Sequence, residues 1–229
     1  MCIRDRDDLV RMVVHDMRSP LSVLVGHLEL LAYEAGLSPD GRGDLHAAMH
    51  GARSLTRMTN DLLDVSRLES NEMPLQAETH ELVQLAHDAK AALESLERER
   101  AIAVEATEPV LASCDARLIA RVLENLVGNA IKHTPADSDI TISVTSGNGG
   151  ARVTVSDLGP GVPIEARQRI FEKFVTVDGA SSNRYHSAGL GLAFCKLAVE
   201  AHGGTIGVEP REPHGSHFWF ELPAITPPR

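Results

Sequence analysis

Between Asp7 and about Tyr33 the apolar residues Leu9, Met12, Val13, Leu21, Leu24, Leu28 and Leu31 recur at three- and four-residue steps. That spacing predicts one stripe of a long amphipathic helix. Gly36, Pro39 and Gly41 then predict a loop. A second helical stripe follows through Leu45, Ala48, Ala52, Leu55, Met58, Leu62, Val65 and Leu68. Two long helices on a short loop make an antiparallel hairpin, and a lone hairpin leaves much of its apolar stripe wet. Pairing two hairpins into a four-helix bundle covers it, so a homodimer is expected on physical grounds.

Ser70–Gln76, with Asn71, Met73 and Pro74, reads as a linker. Beyond it helical stretches (about Leu82–Arg100, Asp115–His133 and Gly189–His202) alternate with β-rich runs at Ile140–Thr145, Arg152–Asp157, Thr205–Glu209 and His217–Leu222. A turn is expected at Gly147-Asn148-Gly149-Gly150. The predicted class is α+β, a helical hairpin followed by a sandwich with helices on one face of a sheet. The expected boundaries are 7–70 for the hairpin, 71–76 for the linker and 77–224 for the sandwich.

Composition narrows the function. Aromatic residues are only 3%, so the core must be aliphatic. A formal charge of −10 argues against a nucleic-acid partner, which wants a basic face. Cys2, Cys114 and Cys195 are widely spaced and odd in number, which suits a reducing compartment and gives no zinc pattern. His46 and His50 stand at i, i+4 and could clamp a metal, but a solvated helix face explains them as well and no third ligand is near. His214 and His217 read as loop surface. No apolar run approaches the ~20 residues that span a bilayer, so no membrane contact is expected within the chain. Met1–Arg6 fits no element, which leaves room for an upstream sensor or membrane-anchoring region in a longer natural protein.

Four motifs carry candidate chemistry. His15-Asp16-Met17-Arg18-Ser19-Pro20 lies within the first helical stripe, where a proline costs about 3 kcal/mol and usually kinks the chain. An imidazole is a capable nucleophile when one ring nitrogen is held by an acceptor, and Asp16 could orient it and take its proton. A surface histidine beside a solvated aspartate is the alternative. Asn125, Asn129 and Lys132 fall at i, i+4 and i+7 and share one helix face. Asparagine oxygens suit a Mg²⁺ already neutralised by phosphates, and the lysine adds charge for those phosphates. Asp157-Leu158-Gly159-Pro160-Gly161 follows a strand; the carboxylate can accept from an adenine amino group while Gly159 and Gly161 let backbone approach the base. A plain turn would look the same. Gly189-Leu190-Gly191-Leu192 opens a helix, presenting free N–H groups to phosphate, as any glycine-rich helix start would. Phe171 and Phe174 precede a loop of about fourteen residues, a length usual for a lid; they read as lid anchors or as core.

Together these residues resemble the sensor histidine kinases. His15–Leu21 is similar to their phosphoacceptor box. Asn125–Lys132, Asp157–Gly161, Phe171–Phe174 and Gly189–Leu192 resemble their N, G1, F and G2 boxes, in order. The likeness runs from about Leu9 to Pro223 and includes His202-Gly203-Gly204. It implies a dimerisation and histidine-phosphotransfer domain over 7–70 and, over 77–224, an ATP-binding domain of the kind shared with type II topoisomerases and Hsp90 chaperones. It further implies ATP and Mg²⁺, His15 as phosphoacceptor, Asp16 as assisting base, Asn129 as metal ligand, and Asn125 and Lys132 on phosphate or metal water. Asp157 would read adenine, and the phosphoryl group would pass to an aspartate of a response-regulator receiver domain in the cytoplasm. Ser19 stands where the family more often has threonine or asparagine in support of regulator dephosphorylation. Leu158 replaces a usual polar residue, and Ser187-Ala188 replace glycines. The rivals are a degenerate kinase acting as a scaffold, a topoisomerase- or chaperone-class ATPase and an anti-sigma-type serine kinase; the last two give the hairpin no role.

Overall fold

The computed structural model describes residues 17, 20–32, 38–70, 72–94, 101–136, 138–147, 150–175 and 189–224. The chain forms two compact units, residues 1–72 and 73–229.

The first unit is helical over α1 (residues 20–32) and α2 (Pro39–Glu69). Pro39 and Gly41 do not lie in a loop, as their types suggested. Ser38 is the N-cap of α2, its side chain accepting from the Gly41 N–H at 3.1 Å, and Pro39 occupies the first turn. Proline is at home there because its missing N–H would have no helical partner. On α1 the apolar residues divide between two faces. Leu21 is buried and Val25 and Leu28 are half-buried, while Val23, Leu24, Leu30 and Leu31 are exposed. On α2 the buried positions are Ala52, Thr59, Leu63, Val65, Ser66 and Leu68, whereas Leu55 is exposed. The stripe read from the sequence through Ala48, Leu55 and Leu62 therefore follows a face that the unit's own residues do not bury fully.

The second unit is an α/β sandwich. Its strands are β1 (Glu78–Glu81), β2 (Ile102–Ala106), β3 (Leu111–Cys114), β4 (Ile140–Gly147), β5 (Gly150–Asp157), β6 (Thr205–Pro210) and β7 (Ser216–Pro223). Its helices are α3 (Leu82–Glu94), α4 (Ala116–His133) and α5 (Gly191–Ala201). A five-stranded sheet has the order β2-β4-β5-β7-β6, with β2 parallel to β4 and the remaining pairs antiparallel. β1 and β3 form a separate antiparallel pair, starting at Glu78↔Cys114.

Alternation decides which sheet face is the core. Ile140, Ile142, Val144, Val153, Val155, Phe218, Phe220 and Leu222 point to the buried side. There they meet Ile119, Val122, Leu123, Leu126 and Val127 of α4 and Phe194, Cys195, Ala198 and Val199 of α5. The opposite face is polar: Arg152 stacks over Trp219 at 4.2 Å and pairs with Glu221 at 2.9 Å and Glu209 at 3.2 Å. No helix among the described residues is long and apolar enough to cross a membrane.

Candidate active site

Helix α4 organises the site. Asp115 is its N-cap, with the side chain accepting from the Arg117 and Leu118 N–H groups. Lys132 and His133 lie in its last turn, where positive charge complements the helix dipole. The apolar stripe Leu118, Ile119, Val122, Leu123, Leu126, Val127 and Ala130 faces the core. That leaves Asn125, Asn129 and Lys132, all half-buried, on the other side, as their spacing predicts.

Helix α5 runs antiparallel along α4. Cys195 Sγ lies 3.8 Å from the Val122 carbonyl, and the Arg121 guanidinium stacks 4.0 Å from the Phe194 ring. One turn further, Gly191 abuts Asn125: a Cβ at 191 would stand 2.9 Å from Asn125 Oδ1. The start of α5 is therefore in contact with the polar face of α4. The helix begins two residues later than the sequence suggested, leaving Gly189 outside it in the left-handed region at φ 66°. Gly189 accepts from the Phe174 N–H at 3.0 Å, and Leu190 is buried while Leu192 is half-buried.

At the other end of α4, strand β5 delivers Asp157. The residue is buried, and its Oδ1 accepts from the Gly159 N–H at 2.7 Å. Burial pushes the carboxyl above its usual range, although N–H groups of Gly159 and Ser216 and the charges of His133 and Arg211 oppose the rise. A carboxylate has about four lone-pair sites, so these two donors leave it capacity for a further one. Gly159 packs against the His133 carbonyl, and Gly161, at φ 78°, against the Gly215 carbonyl. Desolvation lowers the Lys132 ammonium pKa. For His133 desolvation and then the Lys132 charge lower it, against the pull of Asp157.

From His133 to Asn125 is eight residues, about 12 Å along the helix axis. A hungry carboxylate thus marks one end of the site, and a Gly191–Asn125 cradle with helix N–H groups marks the other. That suits a base at the first and phosphates at the second. Among the described residues no group of three His, Cys, Asp or Glu could hold a metal. A cation here would be held by Asn125 or Asn129 oxygens together with ligand phosphates, a donor set that fits Mg²⁺.

Of the residues picked from sequence, Asn125, Asn129, Lys132, Asp157, Gly159, Gly161, Gly189, Leu190, Gly191 and Leu192 lie on α4, at the end of β5 and at the start of α5. His15, Asp16 and Ser19 lie outside the described residues, as do Ser187 and Ala188. Phe171 is buried, whereas Phe174 is 64% exposed and in the left-handed region at φ 64°. Sequence reasoning missed His133, Arg211 and Ser216. The β6–β7 hairpin brings the last two to Asp157, and only the β5–β7 register, with Asp157 opposite Ser216, could have signalled it.

This fold and pocket belong to a class of ATP-binding sandwiches. Residues 114–226 match the family described as "Histidine kinase-, DNA gyrase B-, and HSP90-like ATPase". Residues 5–71 match the "His Kinase A (phospho-acceptor) domain". The chain belongs to the histidine kinase family. It is similar to full-length ShkA, solved in complex with AMPPNP, at 30% identity and a TM-score of 0.76, covering 97% of this chain and 47% of that one. Against the catalytic domain of histidine kinase ThkA the identity is 30% and the TM-score 0.55, covering 65% of this chain and 97% of that one. It is 34% identical to hybrid signal transduction histidine kinase D of Dictyostelium discoideum over 94% of this chain and 14% of that protein. The chain spans less than half the length of the curated relatives it matches.

Proposed function

We propose that this chain is a sensor histidine kinase core that phosphorylates its own His15 from ATP and passes the group to an aspartate of a response-regulator receiver domain. The observation that carries the reading is the buried Asp157, raised by burial, at one end of α4, with the Gly191–Asn125 cradle at the other. Asp157 accepts from the adenine amino group. Gly159 and Gly161 bring backbone to the base, and Asn125, Lys132 and the N–H groups that open α5 around Gly189–Leu192 hold phosphates. Asn129 holds Mg²⁺, which supplies neutralisation of phosphate charge during transfer. A ring nitrogen of His15 attacks the γ-phosphorus; the P–N bond forms as the bond to ADP oxygen breaks, and Asp16 takes the ring proton. Ser19, four residues after His15 in sequence, orients water against a phosphorylated regulator.

We also propose a homodimer and the division 7–70, 71–76 and 77–224, in the cytoplasm where ATP and receiver domains are found. The dimer is supported by the exposed apolar residues of α1: Leu24 and Leu31 stand seven residues apart, as do Val23 and Leu30. The division is supported by two compact units that part between Glu72 and Met73.

The test is incubation of the chain with labelled ATP, alone and with a panel of receiver domains. The label should be labile in acid and stable in alkali, and His15→Gln should abolish it while ATP still binds. Label that survives acid would point to serine or threonine and sink the assignment.

A further inference from the structure

The end of the α4–α5 pair remote from Asn125 carries a cluster that the phosphate site does not use. Asp115 is 2% exposed, and its two carboxylate oxygens face different partners. Oδ1 accepts the N–H groups of Arg117 at 3.1 Å and Leu118 at 3.4 Å, capping α4. Oδ2 accepts the backbone N–H of Gln76 at 3.2 Å, from a residue at the end of the linker. His202, just beyond α5, steadies Asp115 from behind: its Nε2 accepts the Asp115 N–H at 2.9 Å while Nδ1 donates to the Ala198 carbonyl at 2.7 Å. The Arg117 guanidinium also reaches Oδ2 at 3.2 Å, but its side chain is mostly in water.

The geometry points to Asp115 as a positioning residue for the phosphoryl transfer proposed above: it clamps the linker to the ATP-binding unit, at a fixed distance from the phosphate cradle. Ten residues of α4 separate Asp115 from Asn125, about 15 Å of rigid helix. On the other side, the Glu72 N–H bonds the Arg67 carbonyl at 2.9 Å and closes the end of α2. Between those two anchors lie Met73, Pro74 and Leu75, and four residue steps reach at most about 14 Å. Without the Gln76 bond the next anchor is Glu78, where pairing with Cys114 begins. The tether then lengthens to six steps, about 22 Å. A longer, looser tether lowers the effective concentration of the donor phosphate near its acceptor. Burial pushes the Asp115 carboxyl up, but hydrogen bonds from Arg117, Gln76 and Leu118 and the Arg117 charge outweigh it and hold the group below its usual range. The clamp is therefore ionised throughout neutral pH.

The inference rests on the kinase reading, and the experiment separates the two. In Asp115→Asn the oxygen can still cap α4, because asparagine caps as well as aspartate, but an amide donor now faces the Gln76 N–H. Gln76→Pro removes the donor and leaves Asp115 intact. In the full chain, both variants should label His15 at least threefold more slowly at saturating ATP, with ATP affinity within twofold of the parent. Exchange of the Gln76 amide, slow in the parent, should become fast in Asp115→Asn. Unchanged labelling in both variants overturns the inference. So does slow labelling in Asp115→Asn alone, accompanied by weaker ATP binding, because Asp115 would then be only a helix cap. A parent that takes no acid-labile label sinks the kinase reading and the positioning role with it. Amide exchange at Gln76 still decides in that case whether the clamp exists.

Discussion

Replacing Gly191 by alanine should separate stability from nucleotide binding. Gly191 has an ordinary helical backbone at the start of α5, so alanine is conformationally acceptable there. Its methyl group would stand 2.9 Å from Asn125 Oδ1 and 3.5 Å from Cγ, several tenths of an ångström inside normal contact. The obstacle is the end of a half-buried side chain, which can turn away at roughly 0.5–1.5 kcal/mol for leaving its rotamer. Alanine recovers up to about 1 kcal/mol of helix propensity over glycine. The two nearly cancel, so the melting temperature should move by no more than about 4 °C for a unit of this size. Binding has no such compensation, because Asn125 is displaced and the methyl group fills the cradle. One lost hydrogen bond to a charged group is worth about 1.5–3 kcal/mol, which is roughly ten- to hundredfold in ATP affinity. Calorimetric titration with ATP and a thermal melt of the same sample check both numbers. In an Asn125→Ala background the further loss from Gly191→Ala should shrink, because the displaced group is already gone. ATP affinity within twofold of the parent would refute the placement of phosphates at the Gly191–Asn125 contact.

Asp157→Asn should blunt discrimination of ATP over GTP, since an amide presents a donor where the carboxylate only accepts; competition binding reads this, and undiminished preference for ATP would move the base elsewhere. The same variant has a defined pH signature. A carboxyl raised in the folded state contributes stability below its unfolded value of 3.8 and loses it as pH rises through the raised folded value. The melting temperature of Asp157→Asn relative to the parent should therefore climb over that window in nucleotide-free samples, whatever constant offset the amide brings; a flat difference would contradict the burial argument. Mixing His15→Gln chains, which retain a nucleotide site, with Asn129→Ala chains, which retain the acceptor, should restore labelling only on the Asn129→Ala chain if transfer crosses the dimer. Failure of the two chains to form mixed dimers at micromolar concentration would count against the exposed apolar face as a dimer surface.

The elements most legible in the sequence were longer ones whose burial has a period, whereas β2 and β3, of five and four residues, were not among the expected strands. β4, β5, β7 and α4 bury alternate or helically spaced apolar residues, and their runs were read within a residue or two. β1 could not be read that way, because Glu-Thr-His-Glu has no apolar side and forms a strand only through pairing with β3. Pro39 misled because proline breaks a helix interior yet opens a helix start, and only the Ser38 cap distinguishes the cases. In the candidate site, the placement of Asn125, Asn129 and Lys132 on one half-buried face of α4 was legible from their spacing. Ser216, Arg211, His133 and His202 were not, because their roles come from contacts between elements far apart in the chain.

What the sequence could not supply is the reason to call these weak motifs one site. Asp157 sits buried where its ionised form is disfavoured, although a neutral residue would serve the sheet better. Phe174 holds a left-handed backbone that costs an ordinary side chain roughly 1–2 kcal/mol, and exposes its ring as well. Gly189 takes the same backbone region and packs so closely on Phe174 that a Cβ would stand 2.9 Å from the Phe174 carbonyl carbon. The buried Asp157 and the left-handed Phe174 work against folding, whereas Gly189 takes that backbone region freely because it has no Cβ. Such costs persist where surrounding structure enforces them and a ligand repays them. Phe174 adjoins the start of α5 and Asp157 the end of α4, so the disfavoured residues bracket the helix face that carries Asn125, Asn129 and Lys132. A solvated polar face would account for the spacing of those three side chains, but it gives no reason for strain at one of its ends and a buried carboxyl at the other; a nucleotide lying along the face would account for both.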